Sequence, residues 1–210
     1  MRLSRGSATL LNACGQRGHA LGPFDFIILF FSFIYTLALT HLLLAAAMMI
    51  RRRRSLVFSW PHALWMLNAL LLLVCNWISL WDFHGLRSMT LPVILGGFAL
   101  VGVMYVICAL IAPDFEDGGD LDLRAFHERE SRTYILAFAT FLPLALVLNI
   151  AASAGAGIQN WAAQNAIVLA MAAPILVPLL IRAKWAQLGG PLVLVGVMVA
   201  YLVIYYPVIR

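Results

Sequence analysis

Six apolar stretches, each closed by a charged or turn-forming break, dominate this sequence and constrain it more than any other feature. A helix needs about 20 predominantly apolar residues to cross a bilayer, and lipid offers no partner for unpaired backbone groups. The stretches run from Phe24 to Ile50, Trp60 to Phe83, Met89 to Ala112, Thr133 to Ser153, Trp161 to Ile181 and Leu188 to Ile209. Arg51, Arg52, Arg53 and Arg54 close the first, and the turn from Asp82 to Arg87 closes the second. Pro113 opens a polar loop, residues 155–160 form a Gly-bearing turn, and Arg182 with Lys184 ends the fifth stretch. The pattern predicts an all-α, polytopic integral membrane protein. A basic amino-terminal tail, residues 1–23, precedes a six-helix transmembrane domain, residues 24–210, with a polar cytoplasmic loop at 113–132.

Composition excludes the main alternative. Hydrophobic residues make up 63% of the chain and charged residues 11%, against about 25% charged in soluble domains. A chain this short has too little interior to hide that excess from water. The net charge of +5 does not point to nucleic acid, because the basic residues sit in short clusters between apolar runs. Arg51 to Arg54, then Arg124, Arg129 and Arg132, then Arg182 and Lys184 fall on alternate loops. The positive-inside rule puts those loops in the cytoplasm and both termini outside it. Trp60, Trp65 and Trp185 fall near the inner boundary, and Trp77, Trp81 and Trp161 near the outer one, as two interfacial belts. Cys14, Cys75 and Cys108 offer neither metal spacing nor a disulfide framework. A bacterial inner membrane is the home these features fit.

The loop at 113–132 carries acids first (Asp114, Glu116, Asp117, Asp120, Asp122) and then Arg124, Arg129 and Arg132. That order suits a helix beginning near Asp120 and running into the fourth span. The acids do not follow calcium-loop spacing.

Polar residues inside a membrane are costly, so each marks a functional hypothesis. Asp25, Ser32, Thr36 and Thr40 lie seven, four and four residues apart in the first span and share a helical face. Asn68, Asn76, Ser79 and Asp82, with Cys75, do so in the second. Two such stripes predict a polar interior between helices one and two; interhelical hydrogen bonding is the plainer alternative. His41 and His62 supply the pair that haem or a transition metal would need, and histidine also titrates near neutral pH. Asp25, Asp82, His84 and Arg87, with Asn149, are candidates for an outer vestibule or an ion-pair lattice.

Leu-Val-Gly-Val-Met recurs at 100–104 and 194–198, each followed by a proline at the same separation, and Gly96 corresponds to Gly190. The two copies lie in antiparallel spans, the arrangement of a 3+3 inverted repeat. Pro92, Pro143, Pro174 and Pro178 are candidate helix breakers, the last two making the fifth span the expected irregular helix. The reading these features favour is a small channel- or transporter-like bundle moving an ion or solute through the polar interior. Its first alternative is a non-catalytic accessory or assembly subunit of a larger membrane complex. The second is a redox protein holding haem or metal between His41 and His62. No hydrolase or metalloprotease signature is present, and no resident cofactor is expected under the favoured reading. The partners expected are the lipid bilayer and further membrane subunits, either copies of this chain or other proteins.

Overall fold

The computed structural model describes residues 23–80, 90–113, 121–152, 161 and 165–206. Six helices and one short strand pair make up these residues: α1 (Pro23–Arg51), β1 (Leu56–Val57), α2 (Trp60–Ser79), α3 (Leu91–Ile111), β2 (Leu121–Asp122), α4 (Leu123–Ala152), α5 (Ala166–Leu180) and α6 (Lys184–Tyr205). Local chemistry sets the boundaries. Pro61 and Pro92 sit in the first turns of α2 and α3, where a missing N–H leaves no hydrogen bond unmade. Pro92 is therefore a helix starter rather than the breaker its position in an apolar run suggests. The Asp122 carboxylate accepts from the backbone N–H groups of Arg124 (2.8 Å) and Ala125 (3.0 Å), capping α4. The expected helix thus begins at Leu123 and carries its charged lead straight into the apolar segment, with Arg124 paired to Glu128 one turn on.

Five helices are long and apolar enough to cross a membrane, namely α1, α2, α3, α4 and α6. The fifth expected span is described only in part. Its described helix, α5, has 15 residues, which at 1.5 Å per residue is about 22 Å, short of the roughly 30 Å hydrocarbon core. Pro174 and Pro178 lie inside it, and each leaves the carbonyl four residues earlier without its helical donor.

The helices form one bundle. α3 packs between α1 and α4, α5 between α4 and α6, and α2 lies mainly along α6 with contacts to α1, α3 and α4. Trp65, Met104, Ile107, Cys108, Phe138, Ile175 and Leu194 fill the centre and are fully buried. Gly190 sets the closest approach. A Cβ there would stand 2.2 Å from Pro178 Cγ and 2.8 Å from the Pro174 carbonyl oxygen. Only glycine lets α6 lie against the proline-bent stretch of α5. Gln187, one turn earlier, donates to the Pro178 (2.7 Å) and Ile181 (3.1 Å) carbonyls, satisfying acceptors at the end of α5.

All three basic clusters lie at the same end of the bundle. β1, just past Arg51 to Arg54, pairs in parallel with β2, just before Arg124. The turn bearing Arg182 and Lys184 leads into α6, whose Gln187 lies beside His127 of α4. Trp60 and Trp185 are exposed at this arginine-rich end, and Trp77 is exposed toward the other. Trp65 departs from the belt expected of it. It is wholly buried, its ring 5.0 Å from Phe138 and 6.2 Å from Tyr134, because it faces α4 rather than lipid.

The repeated segments behave alike locally: Leu100, Met104, Leu194 and Met198 face the core, and nothing approaches Gly102 or Gly196. The packing around them is not symmetric. α1 lies along α3, but the pair that an inverted repeat would make its counterpart, α4 with α6, has no comparable contact.

Candidate functional site

A cavity of about 450 Å³ occupies the half of the bundle away from the arginine clusters, and all six helices contribute to its wall. Phe31, Leu72, Leu100, Val101, Phe141, Ala145, Met171 and Met198 make an apolar floor, and Cys75 borders it. Polar groups gather toward the helix ends: Asn76 and Ser79 of α2, Asn149 of α4, Tyr201 and Tyr205 of α6, and Tyr206. No described residue of the lining is charged.

The polar groups are held in place from behind. The Tyr35 hydroxyl of α1 donates to Asn76 Oδ1, while Ser79 Oγ donates to the Asn76 carbonyl at 2.9 Å. Asn149 Nδ2 donates to Asn165 Oδ1 at 2.8 Å, and Asn165 Nδ2 in turn donates to the Trp161 carbonyl at 2.9 Å. These bonds engage the oxygen of Asn76 and the nitrogen of Asn149. Asn76 Nδ2 and Asn149 Oδ1, a donor and an acceptor on two residues of the lining, are not used by these bonds. An apolar chamber with a few oriented polar groups is the usual build of a small-molecule site, and 450 Å³ lies within the ~300–1,000 Å³ typical of one.

Toward the arginine-rich end the cavity is stopped by the packed layer of Trp65, Met104, Phe138, Ile175 and Leu194. Beyond that layer lies a second group of polar side chains. Asn68, fully buried, donates from Nδ2 to the Leu64 (2.9 Å) and Pro191 (2.8 Å) carbonyls, tying α2 to α6. His62, also fully buried, sits edge-on to Phe126 at 5.2 Å and near Tyr134 at 6.3 Å. His127 Nδ1 is hydrogen-bonded to the Tyr134 hydroxyl. Both ring nitrogens of His62, Trp65 Nε1, Asn68 Oδ1, His127 Nε2 and Gln187 Oε1 are buried without a protein hydrogen bond of good geometry. So many orphaned polar atoms in one layer is rare.

The expected site residues divide between these places. Asn76 and Ser79 line the cavity; Asn68 lies below it. Ser32, Thr36 and Thr40 do not face α2. Thr36 and Thr40 are exposed on the outer side of α1, and each of the three hydroxyls donates to the carbonyl four residues earlier, at 2.7–2.8 Å. That back-bonding satisfies the hydroxyl within its own helix, so the stripe tolerates an outward position. The inward face of α1 is instead Phe31, Tyr35, Ala38, Leu42 and Ala45.

His41 and His62 are not brought together. His41 Nε2 lies 3.2 Å from the Tyr105 hydroxyl of α3, ten residues before the end of α1, or about 15 Å along the axis. His62 stands in the first turn of α2 with His127 as its electrostatic neighbour. Among the described residues no group of three or more His, Cys, Asp or Glu side chains converges as a metal site would need. The backbone of Asp25 is in the first turn of α1, but its side chain, together with Asp82, His84 and Arg87, lies outside the described residues.

Two participants escaped the sequence reading. Tyr35 sits in an apolar run, and its i+3/i+4 spacing with Phe31, Ala38 and Leu42 was the available signal that it faces inward. His127 lies among charged residues that read as a solvated lead. Its signal was the two-turn separation from Tyr134, at the start of the apolar face that follows.

Comparison with protein-family models, curated proteins and solved structures finds no match for this chain.

Proposed function

We propose that this chain is a small transporter-like membrane bundle that binds a small, uncharged, partly apolar solute in its central cavity. The observation that carries the reading is a chamber walled by all six helices, with amide and hydroxyl groups at one end and no charged side chain among the described residues of its lining. An ion would need compensating charge or a ring of carbonyls there. A compact organic molecule needs only a shaped apolar wall and a few hydrogen bonds. In the orientation favoured by positive-inside bias, the arginine-rich end is cytoplasmic and the cavity belongs to the external half. All six helices then cross or enter the bilayer, with the short, proline-bearing α5 as the irregular one. The packed layer around Trp65 closes the cytoplasmic side. Net movement requires that layer to open, and α5, weakened by two prolines, is the element suited to do it.

The test is uptake into proteoliposomes of the purified chain, followed by stopped-flow light scattering with glycerol, propanediol and urea, beside proton and potassium flux. Uptake of an uncharged solute that falls at least tenfold in Asn76→Leu and in Ala145→Trp supports the reading. Ion flux insensitive to both changes overturns it. Stable co-purification with other membrane subunits and no flux of any kind would give the chain an assembly role instead.

A further inference from the structure

A second concavity, of about 470 Å³, lies on the outer surface between α1 and α2 at the arginine-rich end. Leu42, Ala46 and Met49 form one wall, Met66 and Leu70 the other, and Phe58 from the connection closes the bottom. Arg53 is the one charged residue among the described residues of the lining and stands where the groove reaches the helix end. The groove exists because α1 and α2 touch only sparsely over this length, each being held mainly by other helices.

We infer that this groove is a binding site for an anionic glycerophospholipid, with an acyl chain along the groove and the phosphate at Arg53. Three observations converge on that ligand. The walls are apolar along two to three helical turns, and Leu43, Ile50 and Leu67 around them are exposed. That surface fits a hydrocarbon chain and offers nothing to a soluble polar molecule. The mouth is cationic: Arg53 and its neighbours Arg51 and Arg54 are exposed or nearly so. Among the described residues Arg53 has no ion pair, the two that are formed being Arg124–Glu128 and Arg129–Glu130. Finally, Trp60, 69% exposed and 5.1 Å from the Phe58 ring, sets the headgroup level beside Arg53. A neutral lipid would fill the groove and leave the charge unused. Inorganic phosphate would meet the charge and leave the groove empty. Basic pockets between membrane helices are known headgroup sites.

The experiment is native mass spectrometry of the full chain in mild detergent, titrated with phosphatidylglycerol, phosphatidylcholine of the same chains, and inorganic phosphate. Selective retention of phosphatidylglycerol is expected. Arg53→Gln should weaken it about fivefold, the effect of one cation near an anionic headgroup. Ala46→Trp, which fills the groove without touching the charge, should abolish it. Leu67→Trp repeats that test at an exposed position if the first variant misfolds. Equal retention of both lipids overturns the inference, as does displacement by phosphate alone or undiminished binding in both groove-filled variants. None of these outcomes depends on what the central cavity carries.

Discussion

Replacing Gly190 by alanine adds one methyl group at the most crowded of the described glycines. The new carbon would lie 2.2 Å from Pro178 Cγ, 2.9 Å from Pro178 Cδ and 2.8 Å from the Pro174 carbonyl oxygen. None of these atoms belongs to a flexible side chain. The proline ring is locked to the backbone and the carbonyl is backbone, so α6 as a whole must move away from α5. Overpacking of this kind costs about 1–3 kcal/mol, and the rigid neighbours place Gly190→Ala at the upper end. Alanine returns up to about 1 kcal/mol through its better helix propensity, leaving a net loss of about 2 kcal/mol. For a chain of this size that is a fall of about 4–8 °C in the unfolding midpoint. Gly189 and Gly196 in the same helix supply matched controls, because a Cβ at either meets nothing within 4 Å. Thermal unfolding of all three alanine variants in one detergent, read by helical circular dichroism, separates them. Gly189→Ala and Gly196→Ala should unfold at or above the parent temperature. If Gly190→Ala unfolds together with them, α5 and α6 do not meet at Pro174 and Pro178, and the packing described here is wrong.

Two further substitutions probe the buried polar layer by the same assay. Asn68→Leu removes the two bonds that Nδ2 makes to Leu64 and Pro191 and should cost about 1–2 kcal/mol, most of it from the link between α2 and α6; an unchanged midpoint would show that link to be absent. His62→Phe keeps the ring shape while removing two buried nitrogens that have no protein partner. Its midpoint should hold or rise, since an unpaired buried polar group is itself a cost, and a fall of several degrees would show that those nitrogens are hydrogen-bonded.

The sequence carried the framework because lipid imposes one rule on every span. Apolar length and arginine-bearing breaks marked the helices within a few residues, and the acid-then-base order of the loop marked the start of α4 where Asp122 caps it. The alternation of basic clusters became a single basic end once β1 paired with β2. Direction around a helix was less legible. The spacing of Ser32, Thr36 and Thr40 proves a common face but not which way it looks, and back-bonded hydroxyls remove the penalty that would have decided it. Asn76 lines the cavity, and its partner from α1 is Tyr35, which the sequence sets within an apolar run. The neighbours of the histidines were illegible for a related reason. His62 finds His127 through the crossing of α2 and α4, a tertiary relation that spacing within one helix does not encode. The described helix of the fifth span covers only Ala166–Leu180 of the apolar run and passes through both prolines, Pro174 and Pro178.

Under the proposed function, the cavity is reached from the end opposite the arginine clusters and sealed on their side. Cys75 borders that cavity, whereas Cys108 is fully buried in the core, so the native thiols report on it directly. In a Cys14→Ser background, oriented vesicles would be treated from each side with a small membrane-impermeant methanethiosulfonate, and labelled peptides read by mass. Modification of Cys75 from the arginine-poor side alone, blocked in Ala145→Trp, with Cys108 unreacted, is the predicted result. Labelling of Cys75 from the arginine-rich side, or equal labelling of Cys75 and Cys108, would contradict the account.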